Sequence, residues 1–565
     1  MTETTAPIVE NLRTSTTARI GWAVLIAATL YVCYFSHLGA IGFVGPDEPR
    51  YAWIARDMAE TGDWVTPRLY GKPWFEKPPL FYWGAALCFK LFGVSEAAAR
   101  LPSAISALLA TLAMAWLALR LYGAETARWL LLLLPTTVGM IGFSHAAATD
   151  MPFSGMLTIA MVCAAVVLGL TRNENTPILP RTPWLALILF GFFLGLAVLA
   201  KGPAAVILFG GAILFWALFT KRWRDAFRLL HPAAIAAFCL TALPWYVLCA
   251  RRNPDFFRIF MIEHNFKRYL TPEFQHIQPF WFYLPVLLVM LLPWTAVMLW
   301  AAIEGGSRIA ESKRISPGTL FLLSWSGFVV LFFGLSQSKL PGYILPSIAA
   351  ICLIVTHACV SMASAHLKSF RLVVITAGVI LFFLFSLIRV ATPHVSQASE
   401  KFGVMASLII ALMGAANISF GIFYPSCSGT DLRKLLAASA VVPILLALSL
   451  TDGLLSSYFR WDPSGRSLSE EIRRNGIPSQ ELLVRAMGRG QRYSLSFYLH
   501  NEVTEWEADH PRNGYLLSGG KYCRGMIGAD LTCEEIPFNL EKTGFFLYRI
   551  ERRSPDTLPD RRQPH

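Results

Sequence analysis

The chain has 565 residues, of which 55% are hydrophobic and 15% charged, with a formal net charge of +13. A soluble globular chain carries about 25% charge, and here the apolar residues come in blocks of roughly 18 to 24, long enough to cross a hydrocarbon core of about 30 Å. This composition excludes a soluble enzyme and a disordered chain, shows nothing like a nucleic-acid module, and indicates a polytopic α-helical membrane protein.

The segment up to Thr17 is polar, and no small-residue cleavage site follows the first apolar block. That block is therefore expected to stay as a helix, behind a cytoplasmic tail at 1–19. Candidate spans follow at 20–42, 98–121, 127–144, 151–170, 184–200, 202–219, 229–249, 280–302, 318–335, 341–360, 370–391, 403–424 and 433–452, thirteen in all. The run Pro79–Gly93 is too short to span and contains Lys90, which suits an interfacial helix. With it lying on the surface, the loops around Arg120, Arg172, Arg224, Arg308, Lys368 and Arg433 are all basic. The opposite set is poorer in Lys and Arg, so the positive-inside rule puts the first loop and the C-terminal tail outside the cytoplasm.

The first loop, 44–97, concentrates charge: Asp47, Glu48, Arg50, Arg56, Asp57, Glu60, Asp63, Arg68, Lys72, Glu76 and Lys77. After Pro49, Tyr51, Trp53, Ile54 and Met58 alternate with charged residues at helical spacing, as in an amphipathic helix lying in the membrane interface. Asp47, where the first span leaves the membrane, could act as a base, orient an acceptor, bind a divalent cation, stabilise positive charge developing on a sugar, or simply cap the following helix. Glu76-Lys77 precedes Pro78-Pro79, which stiffens the exit. Asp150 ends the second outer loop and could cap a helix or face the same cavity. Lys201, between two apolar spans, must either be paired, be wet or snorkel. Glu263, His264, Lys267 and Arg268 form the polar cluster of the largest internal loop, and Lys339 and Tyr343 flank Pro341-Gly342 at a span entrance. A divalent cation held by Glu76 and His264 is one reading; a hydrogen-bonding histidine is the other.

From about Gly453 the chain turns polar. "SLSEEIRRNG" (467–476) reads as a helix capped by Ser467, and "ELLVRAM" (481–487), "NGYLLSG" (513–519) and "GFFLYRI" (544–550) read as strands. A small α/β domain at 453–565 is expected, with Cys523 and Cys533 as a candidate disulfide.

"DEPRYAWIARDM…GDWVTPRLYGKPWFEKPPLFYW" with "ARLPSA", "HAAATDMPF", "LAKGP", "EHNFKRYL" and "SKLPGYILP", in that order, resembles the bacterial branch of the protein mannosyltransferase family, which includes the aminoarabinose transferases that modify lipid A. The resemblance covers about residues 20 to 350 and thins toward the tail. It implies a GT-C glycosyltransferase, with the transmembrane transferase region at 20–452 and the catalytic loop at 44–97. It also implies a sugar donor on undecaprenyl phosphate, a lipid A phosphate as acceptor, and an active site on the periplasmic side of the inner membrane. Residue by residue, it puts catalysis on Asp47, Glu76 and Asp150. Arg50, Tyr51, Lys77, Lys201, His264, Lys339 and Tyr343 are the expected substrate-binding residues, and direct displacement with inversion is the expected course. Two alternatives stay open: transfer to a protein hydroxyl or another envelope glycan, and a transporter. A transporter would more often show repeated halves and midplane charges.

Overall fold

The computed structural model describes residues 16–171, 183–267, 277–310, 315–365, 464–506, 513–520, 531–537 and 545–552, with isolated positions between 372 and 441. In chain order come α1 (Thr16–Tyr34), α2 (Asp47–Thr61), the short strands β1 (Arg68–Leu69) and β2 (Lys72–Pro73), and α3 (Leu80–Phe92). They are followed by α4 (Glu96–Tyr122), α5 (Ala124–Leu133), α6 (Val138–Ser144), α7 (Asp150–Val167), α8 (Trp184–Lys201), α9 (Ala204–Thr220), α10 (Trp223–Phe227) and α11 (Pro232–Arg252). After a π-helical segment at Arg258–Lys267 come α12 (Tyr283–Met290), α13 (Thr295–Ala310), α14 (Pro317–Leu335) and α15 (Leu345–Ala365).

Six helical segments among the described residues are long and apolar enough to cross a membrane: α4, α7, α8, α11, α14, and α15 with the turn before it. A seventh would be α5 with α6, bent by 60°. Several of the thirteen expected spans therefore look different in the structure. The expected 127–144 span breaks at Pro135, which offers no N–H to a helix, and 280–302 divides into α12 and α13 around Pro293. The two breaks face each other. Val138 N donates to Leu292 O at 3.0 Å, and the Trp294 indole donates to Thr136 Oγ1 at 3.0 Å. Each break thus supplies polar partners that the hydrocarbon cannot. The expected spans at 370–391 and 403–424 lie mostly outside the described residues, and 433–452 almost wholly so.

Of the candidate spans among the described residues, α7 is the most enclosed, packed between α4 and α8. On α8, Gly191 and Gly195 let α11 approach closely: a Cβ at Gly191 would lie 2.1 Å from Ala234 O. This is the small-residue seam expected where lipid offers no hydrophobic drive between helices.

α2 and α3 form a separate apolar core from Tyr51, Ile54, Ala55, Met58, Phe81, Tyr82, Ala85 and Phe89. At 13 residues, α3 is too short to span. The apolar face of α2 does not lie against lipid as its alternation suggested. It is covered by α3, and Tyr51 is only 2% exposed.

Beyond residue 464, α16 (Arg466–Arg474) and α17 (Arg489–Leu499) accompany a five-stranded sheet of β3 (Leu482–Arg485), β4 (Thr504–Glu505), β5 (Gly514–Gly519), β6 (Leu531–Ile536) and β7 (Phe545–Arg552). The strand order is β4-β3-β5-β7-β6; β3 runs parallel to β4 and β5, and β7 is antiparallel to β5 and β6. Alternation sorts the side chains by face. Leu482, Val484, Leu517, Phe545 and Leu547 pack with Leu468, Ile472 and Leu495 from the helices, while Leu483, Leu516, Tyr548 and Ile550 line the other face. The cap of α16 falls two residues earlier than expected, at Gly465, so Ser467 lies inside the helix and is not its cap. A Cβ at Gly465 would sit 2.6 Å from Leu495 N, so the contact with α17 sets the start. Cys523 lies outside the described residues, which leaves its pairing with Cys533 untested.

Candidate active site

Asp47 opens α2 but does not cap it: the preceding residue is Pro46, and no side-chain cap bond forms. Its carboxylate instead pairs with Arg50, one turn on. Arg50 is buried and Asp47 is 53% exposed, so the pair presents a carboxylate to the outside from a fixed base. The Arg50 Nη1 also meets Glu76 Oε2 at 3.1 Å, and its Nε donates to Pro46 O at 3.0 Å. Lys77 Nζ lies 3.7 Å from the other Glu76 oxygen. Burial works against the Arg50 charge, but Glu76, Tyr51 and Asp47 outweigh it and hold its pKa above the ordinary guanidinium value. The result is an alternating chain of charges, Asp47–Arg50–Glu76–Lys77. Tyr51, an expected substrate contact, lies beneath this chain, its ring 5.8 Å from that of Tyr82.

A second cluster gathers at the adjoining loop. Asp150 opens α7, and its Oδ1 accepts from Lys201 Nζ, at the end of α8, at 2.5 Å. The ammonium lies 4.7 Å from the Tyr343 ring centre, a cation–π distance. Gly342 approaches so closely that a Cβ there would be 2.7 Å from Asp150 Oδ1. The expected residues Asp150, Lys201 and Tyr343 are therefore brought together from three segments. Lys339 stands apart: it is 7% exposed, donates to Ser336 O at 2.6 Å, and has its pKa lowered by burial. His264 lies in the π-helical segment, where its neighbour Glu263 pairs with Arg258 at 2.6 Å. Glu76 is engaged by Arg50 and Lys77, and among the described residues no three His, Cys, Asp or Glu side chains gather as a metal site.

What joins the two clusters is a pair that sequence reasoning missed. Glu48, next to Asp47, accepts from Arg100 Nε at 3.0 Å and Nη2 at 2.8 Å, from Val44 N at 2.9 Å and from Ala147 N at 2.7 Å. Arg100 spends its remaining N–H groups on Leu38 O, Ile41 O and Gly42 O. Every donor of this buried guanidinium is satisfied, as a buried charge requires. The only hint in the sequence was an arginine near the start of an apolar helix, which needs a partner.

The C-terminal part also reaches the first loop. Phe43 N donates to Tyr498 Oη at 3.1 Å, Ser494 Oγ donates to Phe43 O at 3.2 Å, and Tyr498 Oη donates to Glu96 at 2.6 Å. Arg466 meets the same Glu96 at 2.7 Å.

A family profile described as dolichyl-phosphate-mannose-protein mannosyltransferase matches residues 20–260. The undecaprenyl phosphate-alpha-4-amino-4-deoxy-L-arabinose arabinosyl transferase of Aeromonas salmonicida is 30% identical over 419 residues, 73% of each chain. The chain belongs to this GT-C glycosyltransferase family. A second member, of the same name, from Erwinia tasmaniensis is 33% identical over 339 residues, 59% of each chain. The fold of this chain is similar to that of the crystal structure of ArnT from Cupriavidus metallidurans bound to undecaprenyl phosphate, which superimposes with a TM-score of 0.74 at 21% identity over 94% of this chain and 98% of that one.

Proposed function

We propose that the protein transfers 4-amino-4-deoxy-L-arabinose, the sugar its relatives' names carry, from undecaprenyl phosphate to a phosphate of lipid A at the periplasmic face of the inner membrane. The single observation that carries this reading is the charge chain Asp47–Arg50–Glu76–Lys77, which ends in an outward carboxylate at one side and an ammonium at the other. The same reading has thirteen spans, a cytoplasmic N-terminus and a periplasmic domain at 453–565.

In the reaction, an acceptor phosphate oxygen attacks the anomeric carbon while the bond from that carbon to the carrier phosphate breaks. The carrier leaves as a phosphate monoester, and Lys77, with Lys201, neutralises the charge that grows on it. Attack from the opposite side inverts the anomeric centre. Arg50 serves as a positioning residue: it pairs with both Asp47 and Glu76 and so fixes the two carboxylates side by side. A phosphate monoester has a second pKa near 6, so it arrives largely deprotonated. Asp47 then orients the acceptor and stabilises positive charge on the sugar ring, with no need to remove a proton.

Mass spectrometry of lipid A from cells with and without the protein tests this directly. A pentosamine increment on a phosphate is expected. No change in lipid A, or a glycan increment on protein, would replace the reading with transfer to another acceptor.

A further inference from the structure

β1 and β2 form a hairpin whose two loop residues, Tyr70 and Gly71, have φ of 53° and 75°. Such a turn favours Asn-Gly, because a bulky L-residue in the left-handed region is disfavoured by about 1–2 kcal/mol. Tyr70 is nevertheless held there, and the strained backbone aims its ring at a particular place. The ring lies 4.7 Å from that of Trp53 and 6.4 Å from that of Tyr493, on α17. Between hairpin and sheet lies a half-open cleft of about 490 Å³, walled by Tyr70, Trp74 and Tyr493 and rimmed by Lys72, Arg492, Glu502 and Glu505.

The chemistry of the lining selects an occupant. Three aromatic rings offer flat apolar faces, and the rim offers two basic and two acidic side chains. Arg492 already meets Glu505 at 3.1 Å, so the rim is balanced in charge and presents no concentrated field for a phosphate. A ring with C–H faces and equatorial hydroxyl or amide groups meets both requirements. The cleft also abuts the charge chain. The Arg50 guanidinium lies 5.5 Å from the Trp74 ring centre and 5.6 Å from that of Tyr493, so the two rings that wall the cleft also cover the residue that holds Asp47. The approach is tight, since a Cβ on Gly490 would lie 2.9 Å from the Gly45 carbonyl carbon.

We propose that this cleft binds the amino-sugar headgroup of the acceptor, so that the hairpin of the first loop and the start of α17 together select the acceptor saccharide. The proposal rests on the reading of lipid A as acceptor, since it is the saccharide bearing the reacting phosphate that would lie here.

The test uses the full-length protein in detergent and the phosphorylated glucosamine disaccharide without its acyl chains, with binding read by saturation-transfer NMR. Tyr70→Asn keeps a residue that tolerates the left-handed turn and removes the ring; Glu502→Gln keeps the size of a rim residue and removes its charge. The wild type is expected to bind the disaccharide, and Tyr70→Asn to weaken that binding about ten-fold, as loss of an aromatic anchor does. Glu502→Gln should weaken it by a smaller factor. Binding of undecaprenyl phosphate should stay within about two-fold in both variants, which reports an intact fold. A wild type that does not bind the disaccharide, or two variants that bind it as the wild type does, overturns the proposal. Sugar transfer to intact lipid A by the wild type is measured alongside. Transfer with unaltered disaccharide binding in the variants removes the cleft and leaves the function standing. Ring-dependent disaccharide binding without transfer removes the lipid A reading and leaves the cleft standing.

Discussion

Glu48 and Arg100 lie 52 positions apart and meet through two hydrogen bonds of 3.0 and 2.8 Å, both side chains buried. Removing one partner from such a pair leaves an uncompensated charge that costs about 3–5 kcal/mol. Glu48→Ala and Arg100→Ala should therefore lower the thermal midpoint clearly and abolish transfer. Arg100→Lys should do nearly as much harm, because an ammonium cannot reproduce the fork that serves Glu48, Leu38, Ile41 and Gly42. Unfolding followed in detergent checks both; a midpoint unchanged in Glu48→Ala would mean that this pair does not hold the two outer loops together.

Asp47 allows a sharper test of chemistry. Asp47→Ala should abolish transfer and leave binding of undecaprenyl phosphate near the wild-type level, because the carboxylate is outward. Asp47→Asn should retain part of the activity on a phosphate acceptor. On an engineered hydroxyl acceptor it should lose about 10²–10⁴-fold, the range expected when a general base is removed. Equal losses on the two acceptors would overturn this distinction between a phosphate and a hydroxyl acceptor.

Gly342 is the next position to probe. A Cβ there would meet Asp150 Oδ1 at 2.7 Å and a Phe143 ring carbon at 2.9 Å. Gly342→Ala should thus push Asp150 off Lys201, lowering turnover about ten-fold with little change in thermal midpoint. Turnover at the wild-type level would show that the Asp150–Lys201 contact is dispensable.

A pH effect is expected at Asp57. Burial raises its pKa despite Arg68, with Glu60 and Asp63 adding to the rise, and its Oδ2 has no hydrogen-bond partner among the described residues. The folded protein therefore holds this proton more tightly than the unfolded chain. Its stabilising contribution is complete below the ordinary Asp range and is lost as pH rises through the folded value. Asp57→Asn should raise the thermal midpoint by about 1–2 °C near pH 7, and the gain should shrink toward pH 4. A gain that is the same at both pH values would assign the effect to something other than ionisation.

The first loop was the most legible part of the sequence, because charges on an apolar background are costly and so stand out. Asp47, Arg50, Glu76 and Lys77 do fall together. What the pattern leaves open is what an apolar face touches. Tyr51 and Met58 suit lipid contact equally well, yet both are buried in the core that α2 shares with α3, because period alone does not distinguish lipid from protein. Pairings across distance are similarly hidden. Asp150 and Lys201 are 51 positions apart, each at a helix end where capping or snorkelling would have served. Tyr70 and Tyr493 carry no local signal at all, since each acquires its role only when the sheet meets the hairpin.

The bonds from Phe43 to Ser494 and Tyr498 join residues 451 and 455 positions apart. A ribosome must therefore make nearly the whole chain before the loop that carries Asp47 can reach its final form. During insertion, the early loop lacks these partners until α17 has been made. Contacts of such long range also form slowly. The loop that carries Asp47 is thus among the last parts of the structure to be completed, although it is among the first to be made.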